Sequence, residues 1–178
     1  IVGRILGENA LAAVSSTSSI NFMIIGFCMG VCSGFAIPMA QAFGAQEPHE
    51  LRRYIGSCVW LCVIFSAVLA ISTGLLCTQI LRWMGTPEEI LADASAYIGI
   101  LFWGIPVTYL YNMTSSMLRA VGDSRTPVVF LGLAAGLNII LDIVFITVCG
   151  MGVMGASVAT VIAQGLSGLL CLFYIGKK

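Results

Sequence analysis

Charged side chains divide this chain into five uncharged runs, residues 9–46, 54–81, 94–118, 126–141 and 143–176. A helix that crosses a bilayer needs about 20 consecutive apolar residues to cover the hydrocarbon core. Uncharged runs of this length have little other use, because in water a helix apolar all round must be buried on every side. Only 9% of the 178 residues are charged, against about 25% in soluble domains. The chain is therefore read as an integral membrane protein, an all-α polytopic bundle of about five spanning helices.

The first run exceeds one span and contains Gly34 and Pro38, which predict a bend. Alternatively, residues 35–46 form a separate interfacial helix. The last two runs contain CGMGVMG, residues 149–155, whose three glycines suit a tight turn. Helices are expected at about 10–43, 54–80, 94–118, 127–149 and 152–176, in one domain covering 1–178. Residue 1 is Ile, and Lys177 and Lys178 directly follow an apolar run. No signal peptide is recognisable, and the chain reads as a piece of something longer.

Basic residues orient the spans. Arg52, Arg53, Arg119, Arg125, Lys177 and Lys178 fall on one side, Arg4 and Arg82 on the other. Short loops rich in Lys and Arg stay in the cytoplasm, so the loops near 44–53 and 119–126 and the C-terminus are expected there, in the cell membrane. The segment TPEEILAD, with Glu88, Glu89 and Asp93, then faces outward as a loop in which Pro87 and the acidic pair suit a helix start.

Several function classes drop out. Net charge is zero with no basic tract, so no nucleic-acid partner is expected. No Cys/His cluster, hydrolase triad or phosphate-cradling glycine loop appears, so the chain is not read as an enzyme and no cofactor is expected. Cys28, Cys32, Cys58, Cys62, Cys77, Cys149 and Cys171 all sit in or beside apolar segments. The i,i+4 pairs Cys28/Cys32 and Cys58/Cys62 lack the partners of a metal site and are read as small hydrophobes in helix interfaces. His49 is read as a solvated loop histidine. Gly26, Gly30 and Gly34, and again Gly132 and Gly136, have the spacing that lets a neighbouring helix approach closely.

Asp142 breaks the pattern. From Thr126 to Gly176 it is the only charged side chain, set in NIILDIVFI. A charge at the bilayer centre costs about 2.5–3.5 kcal/mol on insertion scales and needs a partner or water. Asn138 lies one turn earlier on the same face. With a hairpin turn centred on Met151, Asp142 and Thr160 lie level, as do Asn138 and Gln164. Asp142 then sits about 12 Å beneath the turn. Oxygens from Asp142, Asn138, Thr160 and Gln164 would suit a hard cation such as Na⁺, and a carboxylate out of water is also a proton carrier. The bland alternative is a hydrogen-bond cluster that only joins two helices. Tyr97 is either an interfacial anchor or leans over the same cavity. Asn112 either lines a pathway or bonds backbone. Asn21 and SSTSS, residues 15–19, are further lining candidates.

VGRILGENALAAVS, PMAQAFGAQ, LRAVGDSRTP, NIILDIVFI and GMGVMGASVATVIAQ together resemble the multidrug and toxic compound extrusion (MATE) family, in that family's order and along the whole chain. The resemblance implies a twelve-helix transporter of two pseudo-symmetric halves that expels drugs or organic cations in exchange for Na⁺ or H⁺. It places these residues at helices two to six of the first half. Asp142 and Asn138 would lie on the family's fifth helix, where the amino-terminal half binds its coupling cation, and Thr160 on the sixth. The first helix, which in many members contributes an Asp, and the second half would lie outside these residues. They would be the chain's partners, along with membrane lipid and a small-molecule substrate. Alternatives are a lipid-linked saccharide flippase of related architecture, disfavoured because the membrane interior offers an acid and no Arg or Lys, and a non-transporting structural bundle.

Overall fold

The computed structural model describes residues 7–177. Arg4 and Lys178, which entered the charge count, lie outside them. Seven α-helices follow in order: α1 Glu8–Gly44, α2 Pro48–Leu75, α3 Cys77–Trp83, α4 Glu88–Trp103, α5 Ile105–Ala120, α6 Arg125–Ile143 and α7 Val153–Lys177. A π-helical segment, Val144–Val148, extends α6. Four helices are long and apolar enough to cross a membrane alone, and α4 with α5 makes a fifth span bent by 46°.

Burial is inverted relative to a soluble protein. The buried face of α2 is Cys58, Cys62, Ser66 and Ala70, all small and one turn apart, while Trp60 is 70% exposed. On α1, Phe22 is 81% exposed, and the buried stripe runs through Ala13, Thr17, Ile20, Cys28, Cys32 and Met39. Small side chains on these faces let helices pack closely, and the large apolar ones outside make a surface suited to lipid or to further helices. Six of the seven cysteines are buried as free thiols, and Cys149 is exposed.

Several boundaries differ from expectation. Helix α1 runs unbroken through Gly34 and Pro38, so residues 35–46 are not a separate helix. The second span starts at Pro48, which occupies the first turn where its missing N–H is harmless. Much of TPEEILAD is not loop: α4 begins at Glu88, with Glu88 and Glu89 at the favourable end of the helix dipole. His49 sits in the first turn of α2 and is solvated, its side chain 93% exposed.

The expected helix 94–118 is broken at Gly104. Pro106 follows at the start of α5, where it cannot donate to the previous turn. Gly104 is buried, and a Cβ there would lie 2.5 Å from Val161 Cγ2. At the kink, α7 therefore packs tightly against the central span through Val161. Gly168 repeats this against Tyr111, whose backbone N would be 3.1 Å from an added Cβ. The glycines singled out for packing have no such neighbour here: a Cβ added at Gly26, Gly30, Gly34, Gly132 or Gly136 would meet no other helix within 4 Å among the described residues. A GxxxG spacing states that a face can be approached, not that a neighbour in the same segment does so.

The bent span α4–α5 lies at the centre, touched by α1, α2 and α7, while α6 is held at the edge almost wholly by α7. One end of the bundle gathers Met39, Leu51, Ile55, Leu118, Val121 and Ile175 around a common small cavity. That end carries Arg52, Arg53, Arg119, Arg125 and Lys177. The opposite end carries Arg82, which pairs with Glu88 at 3.7 Å.

Candidate functional site

Asp142 lies on the last turn of α6, two residues before the π segment. The hairpin with α7 is closed by Gly150 and Gly152, both with positive φ (64° and 59°), a conformation in which a Cβ would be strained. Three contacts hold its arms together. The rings of Phe130 and Tyr174 meet edge-on, 6.3 Å between centroids, at the open end. Midway, Asn138 Nδ2 donates to Thr160 Oγ1 at 3.2 Å. Beside the turn, Phe145 abuts Gly155, where an added Cβ would lie 3.0 Å from Phe145 Cβ.

Asn138 therefore pairs with Thr160, whereas a turn centred on Met151 sets Thr160 level with Asp142. This pair centres on residue 149, whereas Phe130–Tyr174 and Phe145–Gly155 centre on 152 and 150, so Asn138 reaches Thr160 across about one helical turn. Cys149 N donates five residues back to Val144 O at 3.1 Å.

The lone pairs left over define the chemistry. Thr160 Oγ1 spends its proton on Ala156 O, 2.9 Å away, and one lone pair on Asn138. Its second lone pair and Asn138 Oδ1 remain for a ligand. Asp142 is half-buried, and its Oδ1 is buried with no hydrogen-bond partner among the described residues. A buried polar atom without a partner costs about 1–3 kcal/mol, more for a charged group. Asp142, Asn138 and Thr160 thus offer three oxygen acceptors on the two arms, with no Lys or Arg paired to them among the described residues, the oxygen-only chemistry that suits Na⁺ or a proton. Among the described residues no group of three or more His, Cys, Asp or Glu side chains could hold a metal ion.

Of the other singled-out residues, Tyr97 is half-buried on α4. Gln164 does not join the cluster: its Oε1 accepts from Thr108 Oγ1 at 2.8 Å, tying α7 to α5 just past the kink. Asn112 is buried and donates Nδ2 to Thr108 O at 2.8 Å, the backbone-bonding option of its two readings. Asn21 is half-buried on α1. In SSTSS, Ser16, Thr17 and Ser18 bond carbonyls of their own helix, as hydroxyls without other partners do.

Thr108 was not singled out from the sequence, although it lies one turn before Asn112 on the same face. The π segment has no sequence signal, because VFITV is equally apolar in either helix.

The MatE family model matches residues 1–144. Along 99% of its length the chain is 35% identical to "Probable multidrug resistance protein YoeA" of Bacillus subtilis, and it covers 39% of that protein. It is 27% identical to an FAD transporter of Shewanella oneidensis, again covering 39% of it. Among solved structures, a MATE protein in its bent conformation superposes with a TM-score of 0.91 at 28% identity, over 97% of this chain and 38% of that one. A MATE family transporter of the MOP superfamily in an inward-facing conformation gives the same TM-score at 27% identity. The chain thus spans about two fifths of the length of these relatives. With the family model matched over most of its residues and the fold superposing throughout, the chain belongs to the MatE family, the multidrug and toxic compound extrusion transporters.

Proposed function

We propose that the chain is the amino-terminal part, helices two to six, of a secondary antiporter that exports drugs or organic cations in exchange for Na⁺ or H⁺. The coupling ion binds at Asp142, with Asn138 and Thr160 as neutral oxygen ligands and Tyr97 beside them. The observation that carries this reading is the buried Asp142 oxygen with no hydrogen-bond partner among the described residues, one turn from Asn138, which itself bonds Thr160. A carboxylate that only joined two helices would be bonded across the hairpin, and here Asn138 makes that bond instead. Names of relatives, multidrug resistance protein and FAD transporter, support transport and leave the cargo class open. Ion occupancy would bias the balance between outward- and inward-facing arrangements of two bundles, the second lying outside these residues.

The test is efflux by the complete protein in vesicles under an imposed Na⁺ or H⁺ gradient. A gradient of one of these ions should drive export without a nucleotide, and absence of any ion dependence would overturn the proposal. Each neutral ligand contributes about 0.5–1.5 kcal/mol. Thr160→Ala should therefore weaken coupling by about two- to threefold, and Asn138→Ala by more, up to about tenfold. Asn138→Ala also strips Thr160 of its donor, which is why it ranks above. The reverse ranking would show that Asn138 is not a ligand.

The end bearing Arg52, Arg53, Arg119, Arg125 and Lys177 is proposed to be cytoplasmic, on the bias of basic residues towards that side. On a cysteine-free background, Asp123→Cys should resist a membrane-impermeant thiol reagent applied to intact cells. Labelling from outside would invert the topology.

A further inference from the structure

Asp142 is bracketed along the hairpin by two contacts, Asn138–Thr160 on one side and Phe145–Gly155 on the other. The first is a single hydrogen bond between flexible side chains. The second is a backbone approach: a Cβ on Gly155 would lie 3.2 Å from Phe145 C and 3.3 Å from Phe145 O, as well as 3.0 Å from its Cβ. No rotamer change relieves backbone contacts, so they fix the separation of the two arms more firmly than the hydrogen bond does. Gly155 is itself buried in the first turn of α7.

The π segment delivers Phe145 to that contact. Asn138, Asp142 and then Phe145 and Ile146 follow at three- and four-residue steps, one face of the helix turned to α7. Ile146 is 4% exposed, whereas Val148 on the far side is 77% exposed. The chain then has to reach Gly150 in its left-handed conformation. The π segment supplies the hydrogen bond from Cys149 N to Val144 O, and Met151 N closes on Phe145 O at 3.0 Å. An ordinary α-turn has one residue fewer per turn and would rotate the hairpin loop relative to Asp142.

We propose that Gly155, together with the π segment it receives, is a positioning device that sets the distance between Asp142 and the α7 oxygens and so tunes affinity for the coupling ion. This rests on the reading of Asp142 as the ion-binding group. Gly155 touches no ion; it acts through the spacing of the arms. Sites of this kind need their ligands held within about 0.5 Å, and an added methyl at Gly155 forces a shift of a few tenths of an ångström.

The experiment measures efflux by the complete protein against the concentration of the driving ion, Na⁺ or H⁺, for wild type, Gly155→Ala and Gly132→Ala. Gly132 is on the same hairpin in open space. Gly155→Ala should raise the half-saturating ion concentration by about threefold or more at a near-normal maximal rate, with Gly132→Ala unchanged. A lowered maximum with unmoved half-saturation would make Gly155 a packing residue only and overturn the proposal, as would wild-type behaviour. If Gly155→Ala does not accumulate, deletion of Val148 decides, since it removes the extra residue of the π segment and an exposed side chain. An unmoved half-saturation in that deletion overturns the proposal equally. Asp142→Asn in parallel separates the two readings. If it abolishes ion dependence while Gly155→Ala changes nothing, the positioning role fails and the ion site stands; if it leaves ion dependence intact, the site reading itself fails.

Discussion

Asp142→Asn in the complete protein is expected to insert and accumulate normally while losing ion-coupled efflux. The two side chains are nearly isosteric, so the hairpin keeps its shape, and Asn138–Thr160, Phe130–Tyr174 and Phe145–Gly155 still hold its arms. What disappears is the negative charge. Interactions with a charged group are worth about 1.5–3 kcal/mol, so the ion dependence should weaken by roughly ten- to a hundredfold. Insertion should even improve slightly, because a neutral amide is cheaper than a carboxylate in the hydrocarbon. The measurement is substrate efflux in vesicles under an imposed Na⁺ or H⁺ gradient at matched protein amounts. Wild-type coupling from the asparagine variant would reduce Asp142 to a structural residue, and the antiporter mechanism proposed for this site would go with it.

Gly104→Ala is expected to be the most damaging single-methyl change in the described part of the molecule. The new Cβ would stand 2.5 Å from Val161 Cγ2 and 3.2 Å from Ile100 O, so Val161 must leave the rotamer that a β-branched residue prefers in a helix, α7 must withdraw, or the kink must open. Overpacking of this kind costs about 1–3 kcal/mol, read as a lowered thermal midpoint of the complete protein in detergent. Val161→Ala removes the clashing methyl, and the double variant should recover much of the loss. A normal midpoint for Gly104→Ala, or no recovery in the double variant, would show that the central span is not gripped by α7 at that level. Gly132→Ala offers the contrast. It faces open space, and its helix gains up to about 1 kcal/mol from the better propensity of alanine.

These two residues illustrate how unevenly a sequence of this kind can be read. Asp142 stands out because it is the one charge in about fifty residues, and in a membrane the cost of burying it makes that rarity informative. Gly104 does not stand out at all. It has no glycine partner at four-residue spacing, and its importance comes from Val161, distant in sequence, arriving against it. Gly26, Gly30 and Gly34 show the opposite error: conspicuous spacing, but no neighbour within the described residues.

The membrane class, the number of spans and the hairpin turn at CGMGVMG followed from local physics. An uncharged run must be long enough to cross, its ends are marked by charges, and two glycines at positive φ reverse the chain. So did the grouping of Asp142 with Asn138, which needs only helical periodicity. The tertiary structure decided which partner each polar group meets: Thr160 with Asn138, Gln164 with Thr108, and an oxygen of Asp142 with none among the described residues. It also decided the break at Gly104 and the π segment after Ile143. Both are small departures from regular helix whose energies depend on what packs against them. A side chain's face is set by the residues beside it in sequence, but its partner is set by helices that arrive from elsewhere in the chain.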